Sequence, residues 1–138
     1  MYLKITTILS LALLLFFSSC DSDNGGNENS AKLEGVFSGV FTVEYTNGET
    51  ISNPVTVTFT NGQYTSSTGL NRFPAGGNGA FEFGNNTIEF SDENIWTADF
   101  DWNLILNGSY EYSLNEDQLH FSASKNDVGI YEYILIKE

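Results

Sequence analysis

A chain of 138 residues carries 18 Asp plus Glu against 5 Lys plus Arg, a formal charge of −13, with one Cys and one His. The length suits a single domain, and the acidic excess without a basic cluster argues against a nucleic-acid or anionic-lipid surface as partner. One Cys and one His exclude an intrachain disulfide and the usual zinc sites, and leave little for Cys-His or Ser-His nucleophilic catalysis.

The chain opens on Lys4 and a 13-residue apolar run, Ile5 to Phe17, interrupted only by Thr6, Thr7 and Ser10. A bilayer of about 30 Å takes roughly 20 apolar residues, so the run is too short to span and reads as a secretory signal over residues 1–19. Ser18, Ser19 and Cys20 follow, an order that resembles the bacterial lipobox, with Phe17 where that motif usually has Leu. There, lipid is attached to the cysteine and the chain is cut just before it. An unpaired thiol has little other use in an exported protein, so Cys20 is the expected lipidation site and the membrane the first expected partner. An ordinary signal peptide with an incidental Cys is the alternative. Removal of Met1 to Ser19 takes away Lys4 and leaves 4 bases against 18 acids, a charge of −14.

Asp21 to Ser30 holds three acids, two glycines and no apolar residue, and residues 20–32 read as a flexible tether. An acidic stretch after a lipidated Cys resembles the export signal of surface lipoproteins in Bacteroidota-type bacteria, whereas an Asp directly after the Cys resembles an inner-membrane retention signal in enterobacteria. The expected location is lipid-anchored at the outer membrane, facing the cell surface or the periplasm.

From Leu33 to Glu138 period-2 alternation recurs and no helical stripe persists, which predicts an all-β domain. Opposed residues of a hairpin share a face, so each turn can be tested by whether it pairs apolar with apolar. Asn61-Gly62 as a two-residue turn opposes Phe59 to Tyr64 and Val57 to Ser66. Asn85-Asn86 opposes Phe83 to Ile88 and Phe81 to Phe90, and a loop at Asn115 to Gln118 opposes Leu114 to Leu119 and Tyr112 to Phe121. Asn-Gly is the preferred pair for such turns. Asn107-Gly108 fails the test, while Trp102, Leu104, Leu106, Gly108, Tyr110, Tyr112 and Leu114 keep one parity, which predicts one long strand bent at Gly108. At Asn47-Gly48 the parity calls for a longer loop.

The predicted strands are 35–45, 51–60, 63–67, 79–84, 87–91, 101–114, 118–124 and 129–137. Eight antiparallel strands with short connections fit an up-and-down barrel, which leaves no exposed edge; a two-sheet sandwich is the alternative. In the last strand Tyr131, Tyr133 and Leu135 share one face and Ile130, Ile134 and Ile136 the other, so both faces invite cover.

The glycine-led first strand Leu33-Glu34-Gly35-Val36-Phe37-Ser38-Gly39, the meander of hairpins, the Leu106-Asn107-Gly108-Ser109-Tyr110 segment and a closing Tyr-x-Tyr strand resemble the lipocalin-like, calycin-type small lipoproteins of Bacteroidota, over residues 33–138. The lipocalin Gly-x-Trp is replaced by Gly35-Val36-Phe37. The resemblance implies a lipocalin-like barrel and a ligand cup, and no particular activity.

Several residues invite chemistry. Ser91 to Asn103 holds both tryptophans and the acids Asp92, Glu93, Asp99 and Asp101. Asp99, Asp101 and Asn103 are spaced like the first three ligands of a Ca²⁺ loop, but Leu104 and Tyr110 stand where its Gly and Glu belong. A solvated strand face is the plainer expectation, and a glycosidase-like acid pair a distant one. His120 alternates with Leu119 and Phe121 and should face outward. Thr68 to Asn78 contains the only Arg, Arg72, next to Phe73, and reads as a lid across a barrel end or as a flexible connection. Small eight-stranded barrels are just filled by side chains or leave room for one ligand. Phe37, Phe59, Phe81, Phe90, Trp102, Tyr110, Tyr112 and Phe121 are assigned inward, either as a filled core or as an aromatic pocket.

The sequence thus predicts a non-enzymatic, membrane-anchored binding module for a small apolar ligand or a glycan. The expected ligand-binding residues are Trp102, Tyr110, Tyr112, Arg72 and Phe73, and no cofactor motif is present. A structural lipoprotein with a filled barrel, meeting a protein partner through its outer surface, is the alternative.

Overall fold

The computed structural model describes residues 32–138; the apolar leader, Cys20 and the tether up to residue 31 lie outside them. Eight strands follow in order: β1 (Gly35–Tyr45), β2 (Thr50–Thr60), β3 (Gln63–Ser66), β4 (Gly77–Phe83), β5 (Thr87–Asp92), β6 (Gly108–Asn115), β7 (Gln118–Lys125) and β8 (Gly129–Lys137). Each pairs antiparallel with the next, and β8 pairs back onto β1, closing an up-and-down barrel. The hairpin registers follow from the alternation: Phe59 opposes Tyr64, Phe81 opposes Phe90, and Leu114 opposes Leu119. At the first turn Asn61 and Gly62 both adopt positive φ, 51° and 74°, the geometry that makes Asn-Gly the favoured pair. The β1–β2 connection is the longer loop that parity demanded, its ladder ending at Glu44 opposite Thr50.

One segment departs from the alternation. Residues 101–114 do not form one strand: Trp102–Leu104 is a single 3-10 turn, opened by Asp101, whose side chain accepts from the Asn103 N–H, and the strand begins at Gly108, φ 90°. Leu104, Ile105 and Leu106 are all buried, so both parities are inside and period 2 carries no information there. The reason is a cross-chain docking: the Ala75 N–H bonds the Leu104 carbonyl and the Leu106 N–H bonds the Gly76 carbonyl. The segment thereby lies over one end of the barrel instead of in its wall. Trp102 consequently leaves the inward set and is 56% exposed.

The interior is a stack of rings. Phe90 meets Phe59, Tyr64, Phe81, Tyr110 and Phe121 at centroid distances of 4.8 to 6.5 Å, and Phe121 stacks on Tyr133 at 4.6 Å. Phe59, Tyr64, Phe90, Tyr110, Phe121 and Tyr133 are each at most 1% exposed. Outer positions carry Thr, Ser and Glu, and His120 faces out to Glu132, with Nε2 2.8 Å from Oε1. In β8, only the Tyr131, Tyr133 and Leu135 face is covered; Ile130, Ile134 and Ile136 stand about half exposed on the other.

Closure of the barrel brings two backbones too close for a side chain at Gly39. A Cβ on Gly39, at the β1–β8 seam opposite Leu135, would lie 2.0 Å from the Ile134 carbonyl oxygen and 2.9 Å from the Leu135 Cα. Both obstacles are backbone, so relief requires the two strands to part. Gly39→Ala is expected to cost about 1–3 kcal/mol by overpacking, read as a lower urea midpoint with unchanged slope.

Candidate functional site

The two barrel ends are built differently. At one end β2–β3, β4–β5 and β6–β7 turn tightly. At the other, the 67–76 and 93–107 connections fold over the opening. Phe73 enters it, packing on Phe41 at 5.1 Å, while the Asn53 side chain donates to the Phe73 carbonyl at 2.7 Å; the Phe73–Pro74 peptide is cis.

Arg72 fastens the two connections to each other. Its guanidinium lies 4.9 Å over the Phe100 ring and 3.3 Å from Asp99 Oδ1, with Thr97 Oγ1 at 3.4 Å. The Asp99 carboxyl is held below the ordinary carboxylate value, first by the Thr97 hydroxyl, then by a backbone N–H, with the Arg72 charge adding. The cation is therefore engaged by its own chain.

Asp92, the last residue of β5, organises the start of the longer connection. It accepts from the Asn78 N–H at 2.8 Å, from the Asn94 amide at 3.1 Å and from the Trp96 indole, and its own N–H donates to Asn107 Oδ1 at 2.9 Å. Trp96 leans edge-on against Phe100, 5.5 Å away. The Trp102 indole N–H donates to the Thr97 carbonyl at 2.9 Å, which fixes the ring while leaving it open to solvent.

Lys125 holds the segment down. It ends β7 on the inward parity of Phe121 and Ala123, and its ammonium donates to the carbonyls of Asn103, Ile105 and Asn107 at 3.1, 3.0 and 3.3 Å. The rings of Tyr110 and Tyr131 lie beneath it at 4.9 and 5.5 Å. Three carbonyls match the three donors of an ammonium, and the ring faces add cation–π attraction. Burial nevertheless pushes the group down to about 8, against the opposing pull of Asp101. Asn126 completes the fastening, its amide donating to Asn103 Oδ1 at 2.7 Å.

Two clefts meet at Trp102. One, of about 330 Å³, is lined by Asn103, Asn107, Ser109, Ser124, Lys125 and Asn126. The other, of about 310 Å³, is lined by Asp92, Asn94, Trp96, Ile105 and Asn107. Trp102 and Asn107 belong to both. The first carries no carboxylate, in a chain with 18 of them.

The residues singled out in the sequence are thus divided. Trp102, Arg72 and Phe73 share this end, Trp102 as the exposed wall, Arg72 as the fastening and Phe73 as a plug. Tyr110 lies beneath Lys125 with its hydroxyl enclosed. Tyr112 sits toward the opposite end, against Phe83 at 5.1 Å. Asp92, Asp99 and Asp101 are engaged in loop-fixing bonds, and among the described residues no group of three or more His, Cys, Asp or Glu is placed to hold a metal. Lys125, Asn107 and Asn126 escaped sequence reasoning. Lys125 had a legible signal, a charged residue on the inward parity at a strand end, whereas the two asparagines look like any loop residues.

Fold and site together define an eight-stranded up-and-down barrel with a ring-filled interior and two adjoining clefts on the cap of one end. No protein-family model, curated protein or solved structure matches the chain.

Proposed function

We propose that this protein is a lipid-anchored, non-enzymatic binding module of the cell envelope and that its ligand is a glycan seated on Trp102. The observation that carries the reading is the indole itself: an exposed ring, tied at its N–H, between a cleft lined by amides and serine hydroxyls and a second lined by the Asn94 and Asn107 amides, Asp92 and Trp96. A sugar ring presents an apolar face of C–H bonds and a rim of hydroxyls. The first suits an aromatic plane and the second suits Asn and Ser side chains that both donate and accept. The filled interior favours this surface over an apolar ligand inside the barrel. Asp92, Asp99 and Asp101 are taken up in loop-fixing bonds, which supports binding over hydrolysis. Attachment through Cys20 rests on the leader read from the sequence; intact mass of the native protein tests it, and an unmodified N-terminus other than Cys20 overturns it. The outer membrane, facing the surface or the periplasm, remains the location this reading favours.

Trp102→Ala is expected to weaken binding at least tenfold, an energy of about 1.4 kcal/mol, in calorimetric titrations with malto-, cello-, xylo- and chito-oligosaccharides of one to five units. Unaltered affinity, or no binding across that panel, overturns the reading.

A second reading has its own observation. Val40 is paired with Pro54 on one side and Ile134 on the other, and Val40, Ile134 and Ile136 are 42 to 50% exposed on the outer face. Such a patch fits a protein partner. Ile134→Lys distinguishes the two, since it leaves saccharide binding unchanged and removes a contact made through this face.

A further inference from the structure

The wall of the barrel is incomplete next to the cap. The β6–β7 ladder ends at Glu111 opposite Ser122, although β6 begins three residues earlier at Gly108 and β7 ends three residues later at Lys125. Residues 108–110 pair only with β5, and residues 123–125 only with β8. The two strands therefore diverge toward the loop end, and the Lys125 ammonium turns inward to the 103–107 carbonyls at the head of the gap. On the outer surface a third cleft, of about 440 Å³, runs along this seam between Thr87, Glu111, Ser122 and Ile130. It shares Ser109, Ala123 and Ser124 with the first cleft beside Trp102.

We infer that the binding site is a groove and that its ligand is a linear oligosaccharide of at least three units, running from the Trp96 side of Trp102, across Trp102, and down the β6–β7 seam. The inference rests on the glycan reading above and specifies its substrate class. Three clefts stand in series, joined through Trp102 and Asn107 at one junction and through Ser109 and Ser124 at the next. Each holds one unit or more, and a shared wall between neighbours places successive units end to end. The seam exposes hydroxyls because outward positions of both strands carry serine, Ser109 on β6 and Ser122 and Ser124 on β7. A hydroxyl both donates and accepts, so it meets a sugar hydroxyl in either role. Ionic anchoring is not what this lining offers. Lys125 spends its donors on the cap, Asp92 accepts from Asn78, Asn94 and Trp96 of its own loops, and Glu111 stands at the far end, so the groove suits a neutral polymer better than a charged one.

The test is calorimetric titration of the intact protein with a saccharide series of one to five units. In a series that binds, affinity is expected to rise at least tenfold between the shortest member that binds and the trimer. Ser122→Trp, which fills only the far cleft, and Glu111→Arg, which blocks it from the opposite strand, should each remove that gain while leaving the affinity of the shortest member unchanged. Equal affinity along the series, or both variants binding the trimer like the wild type, overturns the groove and leaves the Trp102 site standing. A series that shows no binding at any length overturns both. Circular dichroism and the urea midpoint of each variant verify the fold, and two variants from opposite strands keep the test valid if one of them misfolds.

Discussion

Phe90→Ala is expected to destabilise the barrel by about 3–5 kcal/mol, the range for emptying a buried aromatic position. That is a large share of the roughly 5–15 kcal/mol that a domain of this size commands. Phe90 is the hub of the interior, meeting five rings contributed by β2, β3, β4, β6 and β7. Those neighbours hang from different strands of a closed wall, so none can collapse into the void without dragging its ladder. Phe83→Ala is the matched control: its ring is half-buried and meets only Phe81 and Tyr112 among the aromatics, so a smaller loss follows. Urea denaturation measures both, with an unchanged slope showing that the change lies in stability. The result also bears on function. A cost below about 1 kcal/mol would mean that the interior yields easily, as a ligand cavity would, and the binding site would have to be sought inside the barrel.

How far the sequence spoke depended on whether one face of a segment was wet. Where a strand has a core face and a solvent face, alternation fixes register, and the pairs Phe59–Tyr64, Phe81–Phe90 and Leu114–Leu119 followed from parity and turn chemistry alone. Residues 101–107 broke the rule because Leu104, Ile105 and Leu106 are buried in succession while their backbone is tied to residues 75–76. Trp102, Leu104 and Leu106 fell on one parity by coincidence: Trp102 is exposed, and Ile105, on the other parity, is as buried as Leu104 and Leu106. The same displacement turned Trp102 from a core residue into the exposed wall of the clefts. A cap is held by non-local bonds, Lys125 to three carbonyls and Arg72 to Asp99 across the barrel end, and such bonds leave no periodic trace. What was legible of the site was its aromatic and acidic composition; its geometry was set largely by the Lys125 and Arg72 contacts, between residues 18 to 27 apart.

Alkaline pH should unfold the barrel cooperatively. The Tyr110 and Tyr133 phenols are both at most 1% exposed and are pushed well above the ordinary tyrosine value, by desolvation first and by neighbouring tyrosines second. In the unfolded chain they ionise near pH 10. Above that value the unfolded state holds fewer protons than the folded one, so stability falls as pH rises, by about 1.4 kcal/mol per pH unit for each phenol that stays protonated in the fold. Two such groups give about 2.8 kcal/mol per unit. Tyr64 and Tyr131 are raised in the same direction by desolvation, with the charges of Asp92 and Asp101 respectively adding, and steepen the fall. Lys125 acts with the opposite sign in a lower window. Its folded value of about 8 lies below the unfolded value near 10.4, so its contribution rises between those pH values and its burial penalty is complete below the lower one. Stability measured by urea denaturation should therefore rise from pH 8 to 10 and drop steeply above that range, with tyrosinate absorbance appearing together with loss of the β-sheet signal. Tyr133→Phe should remove one proton from the slope. Tyrosinate forming near pH 10 while the barrel remains folded would overturn the prediction, since it would mean that water and hydroxide reach the ring stack. A filled interior and a site confined to the cap require these phenols to stay sealed until the wall itself opens.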